Sequence, residues 1–197
     1  MNLACKTFTG AEIAAIVPEL GALRIAVFRD FPYLYEGSRE YERKYLQAYV
    51  AQPLGFCFTV WDKGQLVGAT TSLPLSHESP EVRQPFTDAG FDASQIDYFG
   101  ESILLQDYRG QGIGHRFFDE REKFALENGF TITAFCSVIR AEDHPLKPAN
   151  YRSNEAFWAK RGYVRHPELT CTMSWPDIGS AISTPKQLEF YLKEWSK

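Results

Sequence analysis

No Cys-x-x-Cys pair occurs in the chain, whose four cysteines, Cys5, Cys57, Cys136 and Cys171, are scattered along its length. That spacing excludes the common zinc and dithiol motifs and leaves buried free thiols as the expectation. Positive charge is also scarce, with 21 Lys and Arg against 25 Asp and Glu and a net charge of −4. Non-specific polyanion binding depends on clustered cations, so no nucleic-acid partner is expected, although a local anion site is still allowed. Long apolar runs are missing too. The uncharged stretch Tyr45–Trp61 is broken by Gln47, Gln52, Pro53 and Gly55, and falls short of the roughly 20 apolar residues of a membrane helix. Leu3-Ala4-Cys5 has the look of a lipoprotein cleavage box but no basic segment and apolar run before it; a cytoplasmic protein without membrane attachment is expected.

Aromatic residues, in contrast, are plentiful: 15 Phe, 10 Tyr and 4 Trp among 197 residues, within a 44% hydrophobic composition. A chain of this size can bury a full core without disulfides or a structural metal. Neither repeats nor linkers interrupt it, so residues 1–197 read as one mixed α/β domain.

Thr9 can cap a short helix over Ala11–Val17, and Pro18 suits the first turn of a second one carrying Leu20, Leu23 and Val27. Ser38 opens a helix in which Tyr41, Tyr45 and Tyr49 share a face, most simply as a packing stripe. Gly55–Trp61 and Gln65–Leu75 read as a hairpin around Asp62-Lys63-Gly64. The polar, proline-bearing stretch 74–95 reads as a long insert folding back over a site. Tyr98–Leu105, Gly112–Asn128 and Thr131–Ile139 form a strand, helix, strand unit, which usually makes parallel strands with a right-handed crossover. A short helix at Ser153–Arg161, ended by Gly162, and strands at Tyr163–Trp175 and Lys186–Trp195 complete the chain.

The strongest signal is Arg109-Gly110-Gln111-Gly112-Ile113-Gly114, between a strand and a helix. Glycines let backbone approach a ligand closely, and the amides of a helix start favour an anion such as phosphate. Each hydrogen bond to a charged group contributes roughly 1.5–3 kcal/mol, so several amides would outweigh the dipole contribution of about 0.3–1 kcal/mol. His115 and Arg116 follow where a Walker loop needs Lys and Ser or Thr. A dinucleotide fingerprint needs Gly or Ala at His115, so both nucleotide motifs fail.

With the preceding strand, Leu104-Leu105-Gln106-Asp107-Tyr108-Arg109-Gly110-Gln111-Gly112-Ile113-Gly114 resembles the signature of the GCN5-related N-acetyltransferases (GNAT), Gln/Arg-x-x-Gly-x-Gly/Ala. The order of elements is similar as well. The resemblance implies a mixed, mostly antiparallel sheet flanked by helices, with two parallel strands splayed to admit acetyl-CoA. It implies cofactor contacts at Ile103, Leu104, Leu105, Arg109, Gly110, Gln111, Gly112, Ile113, Gly114 and Trp158, and a backbone amide at Leu104 or Leu105 for the oxyanion. Glu101 is the candidate base, or else a structural carboxylate paired with an Arg.

Counting back from Gly162 puts Trp158 at the family's tyrosine. An indole N–H donates hydrogen bonds but has no accessible ionisation with which to protonate a departing thiolate, so Tyr151 is the candidate general acid, the alternatives being unassisted departure or water. Asn154 is expected to cap its helix, and His115 and His144 to be surface and loop residues, without a metal. Phe31-Pro32-Tyr33-Leu34-Tyr35-Glu36 is expected to wall the acceptor site. The implied activity is acetyl transfer from acetyl-CoA to a primary amine, of a small molecule ahead of a protein lysine or amino terminus. A homodimer is allowed, and a non-catalytic acyl-CoA sensor is the alternative.

Overall fold

The computed structural model describes residues 3–195. Its centre is a seven-stranded sheet of β1 (Ala4–Thr9), β2 (Phe56–Asp62), β3 (Gln65–Pro74), β4 (Ile96–Leu104), β5 (Ile132–Val138), β6 (Val164–Pro176) and β7 (Ser183–Glu194), in the order β1-β2-β3-β4-β5-β7-β6. Among the described residues only β4 and β5 pair in parallel. Lys63 and Gly64, with φ of 49° and 85°, supply the two positive dihedrals that a tight β2–β3 turn needs. Strand β1 was not expected from the sequence: ACKTFT is largely exposed at the sheet edge and has no clean apolar alternation, yet it pairs with β2 along its whole length.

Helix α1 (Val17–Phe28) follows a 3-10 turn over Gly10–Ile16, whose start is fixed by Thr9 N donating to Glu12 Oε2 at 3.0 Å. Ser38 accepts from Tyr41 N and caps α2 (Arg39–Tyr45); α3 (Gln47–Ala51) continues after Leu46. With α4 (Pro80–Asp88), these cover one face of the sheet over Ile13, Leu20, Leu23, Leu46, Leu73, Ile96, Ile103 and Phe190. The other face carries α5 (Ile113–Glu127), which buries Ile113 and Phe117 against Phe56, Phe58, Val60 and Val67. Phe118 of α5 joins Phe99, Phe135, Tyr163 and Tyr191, against which Phe157 and Trp158 of α6 (Glu155–Lys160) pack.

The stretch 74–95 corrects its expectation. It holds α4, and Phe86 packs edge-on against Phe190 at 4.7 Å. Its apolar residues Leu75, Val82 and Phe86 are drawn into the core behind the sheet, so among the described residues it contributes nothing to the cavity described next. The tyrosine stripe packs as expected, with ring centroids 6.4 and 5.9 Å apart from Tyr41 through Tyr45 to Tyr49.

Candidate active site

Parallel pairing of β4 and β5 lasts only from Ile96–Ile132 to Tyr98–Ala134, beyond which the strands part. A cavity of about 630 Å³ opens there. Its walls include Phe99 to Ser102 and Leu104 of β4, Phe135 to Ser137 of β5, the end of α1 through Tyr33, and the 148–158 segment.

The divergence coincides with a bulge. Ser72 faces Phe99 and Thr70 faces Ser102, so Gly100 and Glu101 together oppose Thr71. One extra residue reverses the alternation of faces. Tyr98 packs on the α1 side and Phe99 on the α5 side, after which Glu101 and Ile103 return to the α1 side. Gly100 is required at this point because a Cβ there would collide with the Tyr49 hydroxyl.

Glu101 is 4% exposed and forms an ion pair with buried Arg24 of α1, which also pairs with Glu42 of α2. The Thr71 hydroxyl donates to the second Glu101 oxygen and accepts from Glu101 N at 3.1 Å. Tyr35 donates to Glu42, and the Arg24 guanidinium lies 4.1 Å from the Tyr45 ring centroid. On the other side of the bulge, buried Arg121 of α5 donates to Glu101 O at 3.2 Å and Ser102 Oγ at 2.9 Å. Burial lowers its guanidinium to about 10 and raises the buried Asp97 carboxyl, at the base of the divergence, to about 7. Sequence reasoning missed Arg24, Glu42, Thr71 and Arg121. The available signal was Arg24 following Leu20 and Leu23 on an apolar helix face, where a charge needs a buried partner.

Leu105 N donates to Val67 O at 3.0 Å, so the Leu105 amide is not free for an oxyanion. Alternation along the antiparallel β3–β4 pair then directs the Leu104 amide away from β3, toward the divergence. The Ile103 side chain is fully buried in the α1-side core, so any cofactor contact it makes is through backbone.

Of the glycine loop, Arg109 and Gly114 line the cavity. Gly110 and Gly112 have φ of 76° and 81°, and the space an added Cβ would enter is open at both. Gly112 is the N-cap of α5, whose first amides have no intrahelical acceptor. Gln111 is held by its side chain donating to Asp107 O at 3.2 Å, and Ile113 packs inward as the first residue of α5. A narrow cleft between strands, open glycine backbone and a helix start at its mouth fit a phosphate-bearing linear cosubstrate such as acetyl-CoA.

Tyr151 lies in the loop before α6, edge-on to Phe31 at 4.7 Å, and lines the cavity with Trp158. Burial, then the charge of Glu155, raises its hydroxyl above the ordinary tyrosine value. Trp158 packs on Phe135 and Tyr191 at 5.0 and 4.8 Å. Asn154 does not cap α6 with its side chain; Ser153 Oγ accepts from Glu155 N instead, and Asn154 lines the cavity. Phe31, Pro32 and Tyr33 line the cavity, but Glu36 does not: it pairs with Arg29 and accepts from Gly179 N at 3.1 Å. The acidic residue that lines the cavity next to that segment is Asp30, just before it and 3.3 Å from Arg109. His115 packs on Phe157, and His144 Nδ1 accepts from Leu146 N. Among the described residues no group of His, Cys, Asp and Glu is arranged to hold a metal, and no helix is long and apolar enough to cross a membrane.

No curated protein sequence matches the chain. The structure is similar to ribosomal-protein-alanine N-acetyltransferase from Brucella melitensis, with TM-score 0.62 and 15% identity over 97% of this chain and 99% of that one. It is similar to an N-acetyltransferase from Staphylococcus aureus Mu50, at 0.58 and 13% over 98% and 99%. A third similar structure is PaiA N-acetyltransferase from Thermoplasma acidophilum in complex with coenzyme A, at 0.57 and 12% over 99% and 100%. At such identities the likeness is one of fold. The sequence itself matches the model of the Acetyltransferase (GNAT) family over residues 22–163. With its signature loop at the mouth of a cleft between two diverging strands, the chain belongs to the GNAT acetyltransferase family, an assignment that carries acyl-CoA-dependent acetyl transfer with it.

Proposed function

We propose that this protein transfers acetyl from acetyl-CoA to the primary amine of a small molecule by direct attack. The observation that carries the reading is a cavity that joins the glycine loop to a buried carboxylate across the β4–β5 divergence. Bound acetyl-CoA supplies the activated thioester. The amides of Gly110 to Gly114 and the Arg109 side chain hold its pyrophosphate, and the unpaired edge of β4 at Leu104 aligns its linear arm. Hydrogen-bond donors aimed at a developing oxyanion lower the barrier to acyl transfer, a task for the Leu104 amide.

Overall, an ammonium ion and a thioester give an amide, a thiol and one released proton. The C–N bond forms as the C–S bond breaks. Glu101 takes a proton from the entering amine, directly or through water, once the Thr71 hydroxyl or Arg24 yields one carboxylate oxygen. Tyr151 supplies a proton to the departing sulfur; its raised hydroxyl is protonated at neutral pH, as an acid must be. Trp158, packed on Phe135 and Tyr191, shapes the thioester pocket.

The test is release of free thiol from acetyl-CoA over a panel of amines, with wild type and Glu101→Gln. Amine-dependent release is expected, with kcat lowered roughly 10²–10⁴-fold in the variant and CoA affinity nearly unchanged. Engagement of both Glu101 oxygens and Trp158 at the family tyrosine favour one second reading, a CoA-binding sensor. CoA binding by calorimetry without thiol release for any amine would select it.

A further inference from the structure

The cavity leaves several aromatic rings half-buried toward its interior: Phe28, Phe31 and Tyr33 from the end of α1 and its following loop, and Tyr151 from the segment before α6. Phe28 and Tyr33 are 4.5 Å apart by ring centroids, and Phe31 meets Tyr151 edge-on at 4.7 Å. Rings left open to a cavity are the usual walls for an apolar ligand body.

These walls are fixed from outside. Arg140, just past β5, donates to Pro32 O at 2.8 Å and Tyr33 O at 2.7 Å and pairs with Asp177 at 3.0 Å. Trp175 Nε1 of β6 also donates to Tyr33 O at 3.0 Å, and Tyr35 bridges to Asp177. A wall tied to β5 and β6 is preorganised and does not depend on a partner to order it. The rings from two separate segments enclose the space and suit a molecule small enough to enter it, rather than a folded protein surface.

At the inner wall Glu101 presents a buried carboxylate, paired with Arg24, which in turn pairs with Glu42 outside the cavity lining. A charge held away from water favours a ligand of opposite sign. Of the cations that line the cavity, Arg121 bonds the bulge, Arg109 lies at the glycine loop beside Asp30, and Arg152 is exposed in the segment before α6.

Resting on the acetyltransferase reading above, we propose that the acceptor is a cationic monoamine with a flat aromatic body. Phe31, Tyr33 and Tyr151 hold the body, and the Glu42–Arg24–Glu101 cluster draws the ammonium toward the thioester. Glu42 acts through Arg24 and is a positioning residue.

The experiment compares kcat/KM of the protein for 2-phenylethylamine, spermidine and a short peptide with a free amino terminus, by thiol release at saturating acetyl-CoA. The expected result is at least a tenfold preference for 2-phenylethylamine over each of the others. Phe31→Ala should raise KM for it at least tenfold with a smaller effect on kcat. In Glu42→Gln the KM advantage of 2-phenylethylamine over its uncharged analogue, measured as competitive inhibition by 2-phenylethanol, should shrink. A preference for spermidine or the peptide overturns the acceptor assignment and leaves the transferase reading standing. Absence of thiol release with every amine, while calorimetry still detects CoA, overturns both.

Discussion

Asp97 sits at the base of the β4–β5 divergence with a carboxyl that burial raises to about 7, opposed by Ser72 and by the Arg121 charge. Its folded value lies above the unfolded value near 3.9, so the native state holds the proton more tightly. The resulting stability is full below about pH 4 and is lost as pH rises to about 7, with a ceiling of about 4 kcal/mol from linkage. Asp97→Asn should flatten this fall, read as the slope of chemical-denaturation stability between pH 4 and 8; an unchanged slope would show that Asp97 does not titrate there. Tyr151 makes a different prediction. Rate through a tyrosine acid declines as pH passes its hydroxyl value, here above the ordinary value near 10. Tyr151→Phe should lose both rate and that alkaline limb, whereas a wild-type profile would assign proton delivery to water or to an unassisted thiolate.

The glycine loop and α5 act together as an element. Gly112 has φ of 81° and open space where a side chain would go, so Gly112→Leu meets backbone strain of about 1–3 kcal/mol but no internal clash. Its side chain would instead occupy the approach to the first amides of α5. CoA affinity should fall at least tenfold by calorimetry while circular dichroism stays native; undiminished affinity would move the pyrophosphate elsewhere. The bulge of β4 is the second decisive element. Arg121 from α5, Thr71 from β3 and Arg24 from α1 all fasten to it, so both helical layers meet the site at one distorted turn of strand.

Across the whole molecule, the cavity is lined from both helical layers, by Phe28 of α1 and Phe118 of α5, which pack on opposite faces of one sheet. A ligand bound only by the folded chain stabilises it by about 2.7 kcal/mol at 100 times its Kd. For a chain of this size, about 2–4 °C per kcal/mol applies, so CoA at that excess should raise Tm by roughly 5–10 °C. Adenosine without the pyrophosphate should raise it less. Equal shifts from the two would deny the glycine loop its role.

Much of this architecture was legible in the sequence, because periodicity, turn residues and caps act locally. Thr9, Ser38, Lys63-Gly64 and Gly162 stand at the ends of elements as their chemistry demands, and Arg109 to Gly114 lead from β4 into the start of α5 as the glycines indicate. β1 escaped because an exposed edge strand takes its form from its partner, and its own residues carry little pattern. The site's charges escaped for a related reason. Strict alternation assigns Glu101 to the face of Asp97 and Phe99, and only the bulge turns it toward α1. Arg24, Glu42, Thr71 and Arg121 come from four elements, so their association is a property of packing. The residue types and the glycine loop were therefore determined by the sequence alone, while tertiary structure decided which charges meet, because a one-residue slip in one strand changes the face that every following side chain occupies.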